Sequence, residues 1–162
     1  MRYALEHPQR IQGQVFTNSI SGLSRQAPDD PALQAARTDA LRQRGRSGLE
    51  AMRFYPRPSS RRPAEINDAL VGDAPLLSVD GVAMAIAHTI PDLCVAEDLG
   101  RTRVPTLLVN GRRETIFQPM RDLAVRELPG LEVVDLDGGH SINLDCPEAF
   151  NAAVADFIRR HS

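Results

Sequence analysis

The last third of the chain has the clearest alternation of apolar and polar segments. The short, continuously apolar run at 104–109 is typical of a buried strand, and the largely apolar run at 131–136 predicts another. Each run is followed by a segment with helical spacing, at 118–128 and 147–160. Strand, helix, strand and helix in this order predict parallel strands joined by right-handed crossovers.

The final predicted helix has one apolar face. Its apolar residues recur at helical spacing, namely Phe150, Val154, Phe157 and Ile158.

The first part of the chain predicts a short helix and then a strand. Residues 1–6 read as the last turns of a helix that ends before Pro8. Residues 11–20 are predicted as a strand, since Val15 and Phe16 favour extended backbone and the segment closes in turn-forming residues.

The middle of the chain has helical spacing and lacks the alternation of a strand. Helices are predicted at 28–46, 63–70 and 79–96, the last broken at Pro91, with a loop at 55–63. Such a helical, loop-rich region is more typical of an inserted lid than of part of a sheet.

The longest of these predicted helices has signals at both ends. Asp29 or Asp30 is the expected N-cap, and Gly45 and Gly48 either end the helix or bend it.

Length and charge restrict the classes of function. A chain of 162 residues fits one domain with a substantial core. Its net charge of -2 argues against a general nucleic-acid-binding protein, which needs a clustered basic surface. Arginine-rich segments at 42–46 and 57–62 are interpreted as solvated faces or loops.

Cysteine spacing and hydropathy indicate neither a metal site nor a membrane protein. Cys94 and Cys146 lack paired metal-ligand spacing and are expected to be free thiols. No apolar stretch reaches the roughly 20 residues that span a bilayer. Because Glu6, His7 and Pro8 interrupt the N-terminus, we expect no signal peptide and a cytoplasmic location.

Two turns that follow the apolar runs of the last third carry candidate catalytic residues. His140 comes directly after Gly138 and Gly139, which allow a sharp turn. Imidazole can accept and donate a proton near neutral pH. Glu114 lies in a similar turn after the earlier apolar run. Together the two residues suggest the base and the acid of a hydrolytic triad whose nucleophile is missing.

These segments carry a resemblance to a known family. From residue 104 to the end, the chain resembles the C-terminal part of the α/β-hydrolase superfamily. The order and spacing of five segments support this: 2–11, similar to the helix after the nucleophile and the next strand; 105–111, similar to the penultimate strand and its acid-bearing turn; 128–134, similar to the approach to the last strand; 138–140, similar to the catalytic histidine loop; and 146–151, similar to the start of the final helix.

The resemblance implies an α/β fold. It predicts a truncated α/β-hydrolase-like three-layer sandwich, with about three parallel strands and flanking helices. Residues 1–27 and 97–162 would form the sheet core, and 28–96 a helical lid within the same domain.

The resemblance also implies a small-molecule hydrolase that acts on an ester, lactone or carbon–carbon bond. His140 would be the general base, and Glu114 would hold its imidazole in one tautomer. Neither a cofactor nor a metal is implied. The G-x-S-x-G pattern of the family's nucleophile is absent from the sequence, so the nucleophile would come from outside it.

Other assignments of the acid remain open. Glu114 could instead be a surface residue paired with Arg112 or Arg113. Asp92 and Asp98 are weaker candidates for the acid.

Asp137 and Asp145 flank the histidine turn. Either of them could equally well cap the helix that follows.

Three further residues are candidates for a substrate pocket. Ser19 and Ser21, like the neighbouring Ser24, follow the first strand on the side where such sheets bind ligands. Their surroundings do not form a nucleophile turn, and serine is common in loops. His88 lies in an apolar helical stretch, so it is either buried within the lid or in contact with substrate.

The expected partners are a small-molecule substrate and another polypeptide. If the first half of the fold is missing, the strand at 11–20 has one unpaired edge, and apolar surface is uncovered. We therefore expect a homodimer or a complementing N-terminal half, joined across this strand and residues 1–6. The alternative function is a non-catalytic remnant that binds a ligand or a partner and dimerises through this edge.

Overall fold

The computed structural model divides the chain into two compact units. One comprises Met1–Arg25 with Leu93–Ser162, and the other comprises Gln26–Asp92. The structure describes residues 1–23, 31–58, 60 and 63–162.

Helices and strands follow one another in this order: α1 (Arg2–Glu6), β1 (Gln14–Phe16), α2 (Ile20–Leu23), α3 (Pro31–Glu50), α4 (Ala64–Asp73), α5 (Val79–Met84), β2 (Thr106–Gly111), α6 (Gln118–Glu127), β3 (Glu132–Leu136), α7 (Ile142–Asp145) and α8 (Pro147–His161). Short 3-10 turns occur at Pro8–Arg10, Ala74–Leu76, Ile90–Asp92 and Leu99–Arg101, and a π turn at Ala85–Thr89.

The first unit is built on a sheet of three parallel strands in the order β1-β2-β3. Val15 pairs with Leu107, and Leu108 pairs with Val133. The predicted parallel pairing is confirmed.

Helices cover both faces of this sheet, because successive side chains of β2 point to opposite sides. Leu107 and Val109 pack with Phe157 of α8 in one cluster. Leu108 packs with Phe117 in the other, together with residues of α2 and α6. The result is the three-layer α/β arrangement that the sequence predicts.

β1 is shorter than predicted. It covers Gln14–Phe16 rather than 11–20, because the chain turns immediately afterwards and α2 begins at Ile20. The turn is closed by the Ser19 N–H, which donates to the Thr17 carbonyl at 2.6 Å. This turn therefore ends β1 at Phe16.

β2 is displaced by two residues from its predicted position. It covers Thr106–Gly111 instead of 104–109. All six residues are buried, including the polar Asn110. The strand therefore continues to the start of the turn that carries Glu114.

The second unit is helical. Its core contains Leu41 and Leu49 of α3 and Ala83 of α5. α3 continues past its predicted end through a kink at Gly45, whose φ of 56° favours glycine. The proposed N-caps Asp29 and Asp30 lie outside the described residues.

The predicted helix at 79–96 is broken into shorter turns. α5 ends at Met84, a π turn follows, and Pro91 lies within a 3-10 turn. Over the described ranges, no single helix is both long and apolar enough to cross a membrane. The bent pair Ala64–Leu76 and Val79–Asp92, with 90° between its halves, passes that test by length and composition only.

The apolar face of α8 is only partly covered. Phe157 is buried, but Ile158, on the same predicted apolar face, is 53% exposed. Ile158 lines a groove of about 400 Å³ together with Phe157, Ile11 and Val15. This surface, which we call the β1 groove, lies where β1 and α8 meet.

Candidate active site

The structure brings Glu114 and His140 together. Oε2 of Glu114 lies 3.5 Å from Nδ1 of His140. The two residues follow β2 and β3, whose carboxyl ends lie side by side because the strands are adjacent and parallel. The Glu114 side chain is 17% exposed and the His140 side chain 64% exposed. The carboxylate is thus sheltered, whereas the imidazole is open to solvent.

Backbone hydrogen bonds fasten the loop that carries Glu114, residues 112–117, which we call the acid loop. The Arg112 N–H donates to the Leu136 carbonyl at 3.0 Å, and the Arg113 N–H donates to the Gly138 carbonyl at 2.9 Å. The acid loop is therefore joined directly to the chain that leaves β3.

Gln118, the first residue of α6, holds the acid loop from the other side. Its Nε2 donates to the Gly111 carbonyl at 3.2 Å and to the Glu114 carbonyl at 2.9 Å. Its Oε1 accepts from Asn110 Nδ2 at 3.2 Å. One side chain thus spans the whole turn, a role that the sequence pattern did not indicate.

The loop that carries His140, residues 137–141, is the histidine loop. Asp145 Oδ2 accepts from the Gly139 N–H at 2.6 Å. Asp145 therefore stabilises this loop. The suggestion that it caps the next helix is wrong, because α8 has no side-chain cap. A Cβ on Gly138 would lie 2.4 Å from Ile142 Cδ1, so a larger residue here would force the Ile142 side chain to shift.

Asn18 connects the acid and histidine loops to the end of β1. Its side chain is buried, with 2% of the residue exposed. Nδ2 donates to the Gly139 carbonyl at 2.9 Å, and Oδ1 accepts from the Gly111 N–H at 3.1 Å. Sequence reasoning missed this residue, because asparagine after a strand is also an ordinary turn residue.

The chain is similar to known proteins in its structure but not detectably in its sequence. No family model matches the sequence, and no curated protein matches it significantly. Solved structures do match. A hydrolase from Pseudomonas aeruginosa PA01 is 24% identical, with a TM-score of 0.75 over 97% of this chain and 59% of its own.

Two further structures are similar. A thermophilic esterase from Thermogutta terrifontis is 22% identical, with a TM-score of 0.73 over 99% of this chain and 60% of its own. The enol-lactonase from Burkholderia xenovorans LB400 is 19% identical, with a TM-score of 0.71 over 97% of this chain and 60% of its own.

The fold is that of the α/β-hydrolases. The predicted resemblance is thus confirmed for the fold, and the chain spans about 60% of the length of these α/β-hydrolase structures.

An ion pair reinforces the sheet of the α/β-hydrolase fold beside the site. Asp135 of β3 accepts from Arg121 Nε at 2.9 Å, Arg121 Nη2 at 2.6 Å and Asn110 Nδ2 at 2.6 Å. Hydrogen bonds from Arg121 lower the pKa of Asp135, and partial burial opposes that shift only in part. Asp135 is therefore ionised at neutral pH and joins β2, β3 and α6.

The other candidate acids have different partners. Arg113 lies 3.7 Å from Asp137, so the proposed pairing of Arg113 with Glu114 is not observed. Asp98 pairs with Arg101 at 2.7 Å. Neither aspartate contacts the His140 imidazole among the ion pairs of the described residues.

The proposed pocket residues are only partly described. Ser19 is exposed, and within the described part of the chain its hydroxyl makes no hydrogen bond to His140. The Ser21 side chain and all of Ser24 lie outside the described residues. His88 is exposed in the π turn of the second unit, so of the two alternatives the buried position is not observed.

The described residues form no metal site. Across residues 1–23, 31–58, 60 and 63–162, a metal ion finds no group of three or more side chains of histidine, cysteine, aspartate or glutamate that could hold it.

Proposed function

We propose that this chain supplies the base and the acid of an α/β-hydrolase site that cleaves an ester, lactone or carbon–carbon bond in a small molecule. His140 is the general base, and Glu114 orients it. The 3.5 Å separation of their side chains, at neighbouring strand ends, is the observation that carries the proposal. The hydrolases and the esterase among the structural neighbours support the reaction class.

The proposed chemistry follows from the orientation of the imidazole. When Glu114 accepts from Nδ1–H, the lone pair of Nε2 is left free to take the proton of a hydroxyl nucleophile. For an ester, the nucleophile's oxygen then bonds to the carbonyl carbon, and His140 returns the proton to the leaving alkoxide as the carbon–oxygen bond breaks. A water molecule repeats the sequence, which releases the acid and restores the hydroxyl.

The nucleophile is proposed to lie in the part of the fold that the neighbours have beyond this chain. The sequence contains no G-x-S-x-G pattern, and it covers only about 60% of the neighbours' length. An in-frame upstream segment that encodes this pattern would supply the missing serine.

Hydrolysis of a p-nitrophenyl ester tests the assignment of His140. Imidazole attacks activated esters slowly without another nucleophile, so the 162-residue chain should show weak hydrolysis. We expect His140→Ala to lower this rate to the sum of the buffer rate and the small contribution of the other three histidines.

His161→Ala is the matched control, because His161 also pairs with a carboxylate, Glu132 Oε1 at 3.1 Å, away from the proposed site. This variant should retain the activity. Equal activity in the wild type and His140→Ala would contradict the proposed role of His140.

The alternative function is ligand or partner binding without catalysis. The absence of the family's nucleophile pattern from the sequence favours it. No hydrolysis by the wild type, even after an upstream G-x-S-x-G segment is restored, would support the alternative. A fluorophosphonate probe that labels Ser19 would instead identify a nucleophile within this chain.

The β1 groove is proposed to receive the rest of the fold. β1 pairs on one side only within the described sheet, and Ile158 and Val15 present apolar surface beside it. Because the neighbours continue beyond this chain, we propose that a strand and helix of that further part cover the groove. Without it, a second copy of this chain would occupy the same surface.

The second unit is proposed to be the lid that shapes the substrate pocket. Its exposed His88 is a candidate for contact with substrate. The substrate would be selected by lid side chains.

A further inference from the structure

The Asn18 side chain forms hydrogen bonds to two separate segments of the site. One is to Gly111, the last residue of β2 just before the acid loop, and the other is to Gly139 of the histidine loop. Its partners lie 93 and 121 residues away in sequence. A buried amide with both polar atoms satisfied defines the separation of the groups that it joins.

The two contacts lie close to the proposed acid and base. Gly139 precedes His140 directly, and the Gly111 carbonyl accepts from the Glu114 N–H at 3.0 Å. A change in the position of Asn18 therefore alters the positions of both loops. The Glu114–His140 distance of 3.5 Å is longer than an ordinary hydrogen bond, so a further shift of a few tenths of an ångström would separate the pair.

We infer that Asn18 is a positioning residue, which holds Glu114 within 3.5 Å of His140 and thereby sets the tautomer of His140. This inference rests on the proposed function. Asn18 is buried and acts through the two backbones, so it needs no contact with substrate.

The tautomer of His140 gives a readout that does not depend on activity. A free neutral histidine favours the proton on Nε2, whereas a carboxylate acceptor at Nδ1 favours the proton there. Nitrogen-15 chemical shifts of the imidazole distinguish the two forms. The measurement is made on the 162-residue chain at about pH 9, well above the ordinary histidine pKa of about 6.5.

Two variants separate the two hydrogen bonds. Asn18→Leu has a similar volume and removes both, so we expect the Nδ1–H form to give way to the Nε2–H form, as in Glu114→Leu, which leaves Nδ1 without an acceptor. Asn18→Asp keeps the acceptor for the Gly111 N–H but loses the donor to the Gly139 carbonyl. We expect Asn18→Asp to give an intermediate tautomer ratio. This variant also provides the test if Asn18→Leu does not fold.

Thr106→Val is the matched control for loss of stability. Thr106 is also buried, but it lies at the other end of the sheet. Its hydroxyl donates a hydrogen bond to the Val104 carbonyl at 2.9 Å and accepts one from Gln14 Nε2 at 3.0 Å. This variant should lose stability and leave the tautomer unchanged. An equal tautomer shift in Thr106→Val would overturn the inference.

The outcomes separate the inference from the proposed function. If Glu114→Leu shifts the tautomer and both Asn18 variants do not, the role of Asn18 is refuted and the hydrolase proposal is unaffected. If Glu114→Leu changes nothing, the pair itself is absent and both fail. If the Asn18 variants shift the tautomer but no ester hydrolysis depends on His140, the inference stands and the hydrolase proposal fails.

Discussion

Gly111 is the residue with the least space around it in the site. An added Cβ would lie 2.2 Å from the Gly139 carbonyl oxygen and 2.7 Å from that of Gly138. Both contacts are to backbone atoms, so the strain could be relieved only if the acid loop and the histidine loop moved apart. Close backbone approach, rather than an unusual φ, explains why glycine occurs here.

Gly111→Ala should therefore destabilise the fold and separate the Glu114–His140 pair. We expect the free energy of unfolding to fall by about 2 kcal/mol or more, as measured by urea denaturation. Gly72→Ala is the control: Gly72 lies in α4, where an added Cβ meets nothing within 4 Å. Because alanine favours helix, this control should gain about 0.5–1 kcal/mol. Wild-type stability in Gly111→Ala would contradict the close contact.

At the scale of residues, the sequence predicted the proximity of Glu114 and His140 through their glycine-containing turns and the family resemblance. Asn18, Gln118 and Asp145 could not be predicted in this way. Each acts on backbone atoms of a loop, and such contacts leave no periodic pattern in the sequence. Asn18 in particular depends on how distant strand ends are brought together by the sheet.

Between elements, the Asp135–Arg121 pair links a strand to the helix that precedes it. The Asp135 carboxylate is 32% exposed and the Arg121 guanidinium 25%, so solvent weakens their attraction. The geometry is nevertheless bidentate, which is the stronger arrangement for such a pair.

Asp135→Asn should destabilise the protein at neutral pH and make little difference in acid. The folded-state pKa of Asp135 is below its ordinary value of about 3.9 because Arg121 favours the ionised form. The stabilisation that the ionised Asp135 gives to the folded state is therefore complete above its ordinary pKa. It is lost as the pH falls toward and through the lower pKa of the folded state. We expect a difference of about 1 kcal/mol at pH 7 that shrinks as the pH falls below about 3.9 and through the folded-state pKa, measured by denaturation.

Asp122→Asn controls for the charge change, since Asp122 also contacts Arg121, at 3.2 Å, but is 70% exposed. It should cost less than about 0.5 kcal/mol at any pH. Glu132, whose pKa is also lowered, by hydrogen bonds from Arg160, is present in all three proteins and cancels in the comparison. A difference that does not shrink as the pH falls through and well below about 3.9 would argue against the ion pair as its source.

The limits of most helices could be predicted to within a few residues, because spacing, prolines and glycines are local signals. The limits of β1 could not, since the Ser19–Thr17 turn ends it within a segment of high strand propensity. The exposure of Ile158 was likewise not evident, because spacing gives the apolar face of a helix but not what covers it.

At the scale of the whole molecule, the β1 groove predicts self-association. Ile158 is 53% exposed beside a strand with an unpaired edge within the described sheet. We expect the 162-residue chain to form concentration-dependent dimers in sedimentation velocity, because association buries this surface. Ile158→Glu should shift the chain to monomers.

Val125→Glu is the control for the added charge, since Val125 is 49% exposed on α6, outside the β1 groove. It should leave the dimer intact. A wild type that stays monomeric at every concentration would contradict the proposal, as would equal dissociation by both variants.

The α/β architecture and the parallel sheet followed from the sequence, because alternating strands and helices restrict the possible connections. The function of the second unit did not, since a helical segment of this composition fits many roles. It remains a proposal that this unit forms the lid.

Asn18 also has a consequence for protein engineering. The contacts that hold the acid–base pair all lie within the segment from β1 to α7, so a hydrolase of this fold divided just ahead of β1 would keep that pair preassembled in its downstream piece. Reassociation of the two pieces would then need only to deliver a serine. Such a division point would suit a split reporter, whose signal appears when two fused proteins meet.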